Sequence, residues 1–266
     1  MAVEVTGLLG FAMELADVAD ELTLARFGGA VPADIKADGS PVTEADRAVE
    51  SALREQIAAA YPAHTVLGEE QGGAIDPQTP TWVIDPIDAT ANYLRGVPVF
   101  ATLIAVVEGG RPLVGVASAP AMGERWDAAE GHGTRRNGRP ATVSTVAMLD
   151  EAHVLHGGLD WFRQSPAYWE LLGRLSDACW RTRGFGDFWM HLLVAGGMGD
   201  VALERDLKPW DIAALECIVT EAGGRLTAWD GGPALADPDG AVLSTNGSLH
   251  PPVQALLGAA VAAQDG

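Results

Sequence analysis

The chain has 266 residues, 48% hydrophobic and 20% charged, a balance that fits a globular protein with one large core or two closely packed halves. Its formal net charge of −19 argues against nucleic acid, which demands basic patches, and against an anionic membrane surface. No apolar run approaches membrane-spanning length, and Met1 to Phe27 lacks the basic start and cleavage pattern of a signal peptide, so a cytoplasmic protein is expected. The two cysteines, Cys179 and Cys217, form neither a disulfide framework nor a zinc-ligand pattern. They read as reduced core thiols.

Leu8, Phe11, Leu15, Val18, Ala19 and Leu22 recur at three- and four-residue steps, the pattern of an amphipathic helix closed by Gly28-Gly29. Val31 to Val42, with Gly39 and Pro41, reads as a mobile loop. Thr43 is an N-cap for a second helix, Glu44 to about Ala60. Asp46 falls in its first turn, where a carboxylate complements the helix dipole. Val66-Leu67 then leads into Gly68-Glu69-Glu70 and a glycine-bearing loop to Pro80.

Trp82 to Ile84 reads as the end of a buried strand that Pro86 stops. Asp85 and Asp88 therefore sit at the strand's carboxyl edge, where ligands usually bind in mixed sheets. Two carboxylates three residues apart on a sharp turn repel each other unless a cation lies between them. An Asp-Pro turn capped by a second aspartate is the other reading of the same residues. Ala89 to Asn92 opens a helical turn whose free N–H groups suit an anion.

Thr102–Val107 and Leu113–Ala117 form a hairpin through Glu108–Arg111, with Arg125–Ala129 as a third strand and a turn at Asn137-Gly138. Past about Thr145, strands at Ala152–Leu155, Trp180–Thr182 and Asp200–Glu204 alternate with helices. Those helices are Ala167–Ala178, Asp187–Gly196 and Pro209–Ala222. The last has proline at its start, Asp211 in its first turn and Gly223-Gly224 beyond its end. The expected fold is mixed α/β (α+β), a layered sandwich of an N-terminal half, 1–145, and a C-terminal half, 146–266.

Val42-Thr43-Glu44-Ala45-Asp46, Gly68-Glu69-Glu70, Asp85-Pro86-Ile87-Asp88-Ala89-Thr90-Ala91-Asn92 and Trp210-Asp211-Ile212-Ala213 occur in this order. Together they resemble the marks of the inositol monophosphatase family, over roughly Ala12 to Leu257. The resemblance implies an αβαβα arrangement and Mg²⁺-dependent hydrolysis of a small phosphorylated metabolite. It implies that Glu69, Asp85 and the Ile87 carbonyl hold one ion, and that Asp85, Asp88 and Asp211 hold another. Lys36 and Asp38 would close over a third, weaker ion. Asp46, Thr90 and Glu69 form the implied catalytic set, with Asp46 as general base acting through the Thr90 hydroxyl on the attacking water. Backbone N–H groups near Ala89 and Thr90 would take the phosphate oxygens. Glu70 is a supporting or solvent-facing residue. Ala89 departs from the family, which has glycine there, and glycine is needed where φ is positive or a ligand comes very close.

Asn92–Val99, Ala101–Ala105, Val116–Pro120 and Gly186-Asp187-Phe188-Trp189 are similar to the histidinol-phosphate phosphatase branch of that family. By that resemblance Asp187 meets the ammonium of histidinol; without the resemblance it reads as a helix cap. By the same resemblance Glu204 would contact the non-phosphate end of the substrate. Arg183 either makes a structural ion pair with Asp187 or lies near the substrate. The branch resemblance weakens between His153 and Trp180 and from Glu204 to Pro209. This leaves open an inositol-1-phosphatase, a phosphatase of another metabolite in specialised metabolism, or an inactive paralogue that binds metal and phosphate. Trp161, Trp169, Trp180 and Trp189 read as core rather than as an aromatic cage. A homodimer is the family's habit.

Overall fold

The computed structural model describes residues 5–29, 33–35, 41–237 and 240–262; Lys36 and Asp38 lie outside them. In chain order the elements are α1 (Val5–Leu24), β1 (Ala33–Ile35), β2 (Pro41–Thr43), α2 (Glu44–Ala60), β3 (Thr65–Gly68), β4 (Thr81–Asp88), α3 (Thr90–Leu94) and β5 (Ala101–Glu108). They continue with β6 (Arg111–Ala119), β7 (Glu124–Ala129), β8 (Gly133–Arg136), β9 (Arg139–Ala141), β10 (His153–His156), α4 (Leu159–Phe162) and α5 (Pro166–Ala178). The rest are β11 (Arg181–Gly184), α6 (Asp187–Ala195), β12 (Val201–Glu204), α7 (Pro209–Glu221), β13 (Arg225–Ala228), β14 (Val242–Thr245) and α8 (His250–Ala262).

A seven-stranded sheet runs in the order β3-β4-β5-β6-β7-β8-β9, and a five-stranded sheet in the order β11-β10-β12-β14-β13. In the first, β3 and β4 are parallel and every later pair is antiparallel. In the second, β10 pairs in parallel with β11 and β12, while β14 runs antiparallel to β12 and β13.

Side-chain alternation along the strands builds the layers. Trp82 and Ile84 of β4 pack with Leu15, Val49 and Leu53 of α1 and α2. Val83, between them, turns to the opposite face and joins Phe188, Ile212 and Ile218 of α6 and α7. In β12, Ala202 meets Met190 and Val194 of α6. Val201 and Leu203 face outward onto Leu171, Leu175, Val253 and Leu257 of α5 and α8. Helices, sheet, helices, sheet, helices: the fold is the αβαβα sandwich. The sheets come from either side of residue 145, yet α7 from the later half completes the core of the earlier sheet.

Several local expectations change. Ala33–Ile35 and Pro41–Thr43 pair as an antiparallel ribbon, where a loop is expected from the glycine and proline content. Pro86 does not end β4; the strand continues to Asp88 past a register shift between Asp85 and Asp88. A bulge accommodates a residue without an N–H, and the Pro86 carbonyl still accepts from Thr102 Oγ1 at 2.7 Å. Trp161 is buried as expected, but Trp169 and Trp180 are exposed and Cys179 is only half-buried. Among the described residues, no helix is long and apolar enough to cross a membrane.

Candidate active site

The bulge in β4 gathers the carboxylates. Asp85 leaves the strand just before the register shift and Asp88 just after it, at the carboxyl end. Asp211 arrives from the first turn of α7, where its carboxylate also accepts from the Lys208 N–H at 2.6 Å. Asp85, Asp88 and Asp211 each offer an oxygen within 4.8 Å of the others. Burial, then the neighbouring Glu69, Asp88 and Asp211 charges, drive the Asp85 carboxyl well above its ordinary range. Burial first, then Asp187 and Asp211, does the same to Asp88. Asp211 is pushed up to about 7, again chiefly by desolvation. Asp85 is 2% exposed and its Oδ1 has no hydrogen-bond partner among the described residues. A buried, unpaired carboxylate oxygen among like charges fits a hard divalent cation.

Glu69 lies at the end of β3, and its N–H donates to the Ile84 carbonyl at 3.2 Å, one residue before Asp85. Its carboxylate is not one of the three gathered oxygens, but its charge acts on Asp46, Asp85 and Asp211. Asp46 is fully buried. Its Oδ2 accepts from the Thr43 N–H at 2.8 Å and the Thr43 hydroxyl at 2.5 Å, closing a capping box. Its Oδ1 has no partner among the described residues.

Thr90 opens α3, and its hydroxyl donates to the Ile87 carbonyl at 2.9 Å rather than to Asp46. The expected Asp46–Thr90 hydrogen bond is not made. The Ala89 N–H is likewise taken, by Asp88 Oδ1 at 2.8 Å, so it is not a free donor for phosphate. Thr90 and Ala91 N–H, at the start of α3, have no acceptor within the helix's own ladder. Ala89 sits at φ +64°, ψ +45°, the left-handed region that explains a family preference for glycine. Its methyl packs on the small cluster of Ala45, Ile87, Tyr93 and Phe100.

The N-terminus of α6 joins this cluster to a second acidic group. The Phe188 N–H donates to Asp88 Oδ2 at 2.8 Å. Asp187 precedes it at φ +49°; it is the first residue of α6, Gly186 holds the cap position, and no side-chain cap bond forms. The capping reading of Asp187 therefore falls. The Asp187 N–H lies 3.4 Å from Glu204 Oε1. Glu204, at the end of β12, is 7% exposed. Desolvation, with the Asp160 charge adding to it, pushes Glu204 up to about 8. Burial and then Glu204 push Asp187 to about 7.

Arg183 does not pair with Asp187; it is exposed at the edge of the five-stranded sheet and donates to the Thr182 carbonyl at 2.7 Å. The residue that does face Glu204 is His191, fully buried, with Nε2 3.7 Å from Glu204 Oε2 and Nδ1 2.7 Å from Ser244 Oγ. Desolvation lowers His191 to about 4, so it is neutral. It went unnoticed in the sequence because a lone histidine on an apolar helix carries no spacing signal. Glu50 carries no such signal either, being one of four acidic residues on α2.

A layered sandwich with gathered carboxylates beside a short helix start defines a divalent-metal-dependent hydrolase of anionic substrates. The chain belongs to the inositol monophosphatase family, whose model matches residues 4–262. It is 47% identical over 259 residues to a histidinol-phosphatase of Mycobacterium tuberculosis, covering 94% of this chain and 98% of that protein. A histidinol-phosphatase of Streptomyces coelicolor is 44% identical over 260 residues, covering 91% of this chain and 93% of the other. Among solved structures, an inositol monophosphatase of Thermotoga maritima superposes with a TM-score of 0.86 at 30% identity, covering 96% of this chain and 98% of that one.

Proposed function

We propose that this chain is a Mg²⁺-dependent phosphomonoesterase that converts L-histidinol phosphate and water to L-histidinol and phosphate. The observation that carries it is the bridge from metal-type carboxylates to a buried acidic pair. Asp88 is bonded through the Phe188 amide to the turn that bears Asp187, which in turn abuts Glu204. An ester with an anionic head and a cationic body needs a metal-type end for the one and an acidic end for the other. The likeness to two histidinol-phosphatases supports the same substrate.

Asp85, Asp88 and Asp211, with Glu69 and the Ile87 carbonyl, would hold two Mg²⁺ ions. Bound there, the metal supplies Lewis acidity, lowers the pKa of a coordinated water and neutralises the leaving oxygen. The chain's own residues do the rest. Asp46, with its unpartnered Oδ1, is the proton acceptor, and Thr90 orients the water once its hydroxyl turns from the Ile87 carbonyl. The first N–H groups of α3 receive the phosphate oxygens. Asp187 and Glu204, ionised by the arriving ammonium, hold the amino alcohol.

Phosphate release should be measured with Mg²⁺ on histidinol phosphate, inositol-1-phosphate, adenosine-3′,5′-bisphosphate and fructose-1,6-bisphosphate. The highest kcat/KM is expected on histidinol phosphate. A preference for inositol-1-phosphate would leave only the family activity standing.

A further inference from the structure

A fully buried carboxylate outside the gathered cluster fixes the loop that carries Glu69. Glu50, on α2, is 0% exposed. Its Oε2 accepts from the Glu70 N–H at 2.7 Å, and its Oε1 accepts from the Gln71 N–H at 3.1 Å and Arg54 Nε at 2.7 Å. Arg54, one turn further along α2, reaches past it to the Gly72 carbonyl at 2.5 Å. Gly68 and Gly72 close the loop by exchanging backbone bonds of 3.1 and 3.0 Å. A Cβ at Gly68 would strike the Glu50 carboxylate, so only glycine lets it in.

Glu69 is thus held from both sides. Its own N–H is tied to Ile84 of β4, and the next two amides are tied to Glu50. An ion pair that served only to join α2 to the sheet would not need to accept two consecutive loop amides.

We propose that Glu50, braced by Arg54, is a positioning residue for the metal site: it sets the backbone from which Glu69 reaches the ion. This rests on the reading of Glu69 as a metal ligand. Partners that orient metal ligands typically change metal affinity by about 10–100-fold.

The test is Mg²⁺ titration calorimetry on full-length protein stripped with chelator, alongside kcat at saturating Mg²⁺. Glu50→Gln keeps the volume but turns an amide toward an N–H donor, and Gly68→Ala displaces the Glu50 carboxylate without altering any charge. Both should weaken Mg²⁺ binding by about 10–100-fold, while saturating Mg²⁺ restores kcat to within a few-fold. Leu53→Val, a core change on the same helix, should lower Tm and leave Mg²⁺ binding unchanged. If Glu50→Gln is too unstable to titrate, Arg54→Lys, which loses the bond to the Gly72 carbonyl, takes its place. Mg²⁺ binding within twofold of wild type in Glu50→Gln and Gly68→Ala, or an equal loss in Leu53→Val, overturns the proposal. A parallel Glu69→Gln protein separates the two layers. If it binds Mg²⁺ normally, the ligand reading fails and the positioning role with it; if it alone binds weakly, only the role of Glu50 fails.

Discussion

The Phe188 amide donates to Asp88 Oδ2 across 100 residues of sequence, at 2.8 Å. One hydrogen bond therefore ties the last carboxylate of β4 to the helix whose first residue, Asp187, abuts Glu204. The start of α6 thus touches both acidic groups, Asp88 through the Phe188 amide and Glu204 through the Asp187 amide.

Asp88 is the residue on which the two ends depend, and Asp88→Asn should lose nearly all phosphate release while the protein still folds. The variant relieves like-charge repulsion in the metal-free state, so its Tm without metal should equal or exceed wild type. Chelator should silence the wild-type enzyme and added Mg²⁺ should restore it. Full turnover in excess chelator would end the metal mechanism.

Thr90→Ala should leave Mg²⁺ affinity near wild type and cut kcat, because orienting a nucleophile is worth roughly 10²–10⁴-fold. The Thr90 hydroxyl rests on the Ile87 carbonyl, so an equal loss of metal affinity and rate would make it a support for that carbonyl instead. Calorimetry beside steady-state kinetics distinguishes the two.

Much of this was legible in the chain itself. The helix from Glu44 to Ala60 with its Thr43 cap follows from capping chemistry, and a cation site at Asp85 and Asp88 follows from two like charges three residues apart at a strand's carboxyl end. What escaped notice depended on distant partners. A positive φ at Asp187 has no signature in side-chain type, since aspartate is only a tolerable occupant of that region, and at Ala89 only the glycine of the resembled family points to it. Pro86 looked like a strand end because a bulge cannot be read without the register of the neighbouring strand. Glu50 and His191 look like ordinary helix residues until β3 and β12 are set against them.

Ala89→Gly separates backbone strain from crowding at the phosphate. Leaving the left-handed region to glycine relieves about 1–2 kcal/mol. Against this stand a lost methyl contact of about 0.8 kcal/mol and roughly 0.4–1 kcal/mol of added freedom in the unfolded chain. The terms nearly cancel, so Tm should move by only a few degrees either way while kcat is equal or higher. A tenfold fall in kcat would mean that the site has adapted to the methyl on the Ala45–Phe100 cluster.

Glu204 gives the metal-free protein a definite pH dependence. Its carboxyl is raised from 4.5 to about 8 in the fold, so between those values the native state holds a proton that the unfolded chain has released. Stability from this group is fully present below the unfolded value and is lost as pH rises through about 8. Glu204→Gln removes that loss. Its melting temperature should match wild type near pH 4 and exceed it near pH 8, by roughly 2–4 °C for each kcal/mol recovered. Parallel melting curves at both pH values would mean that Glu204 is ionised throughout, with His191 charged beside it.

Asp187→Asn tests the substrate. Asparagine accepts the φ of +49° that Asp187 adopts, so the backbone that delivers the Phe188 amide to Asp88 should survive the change. What is lost is the charge facing the ammonium, and a charge-assisted hydrogen bond there is worth roughly 1.5–3 kcal/mol. The variant should therefore lose about tenfold to a hundredfold in kcat/KM on histidinol phosphate. Hydrolysis of inositol-1-phosphate, whose body carries no charge, should barely change. A merely structural Asp187 would depress both substrates alike, because disturbing the start of α6 would reach Asp88 whatever the ester. Parallel losses would remove the histidinol assignment and leave the metal-dependent phosphatase intact.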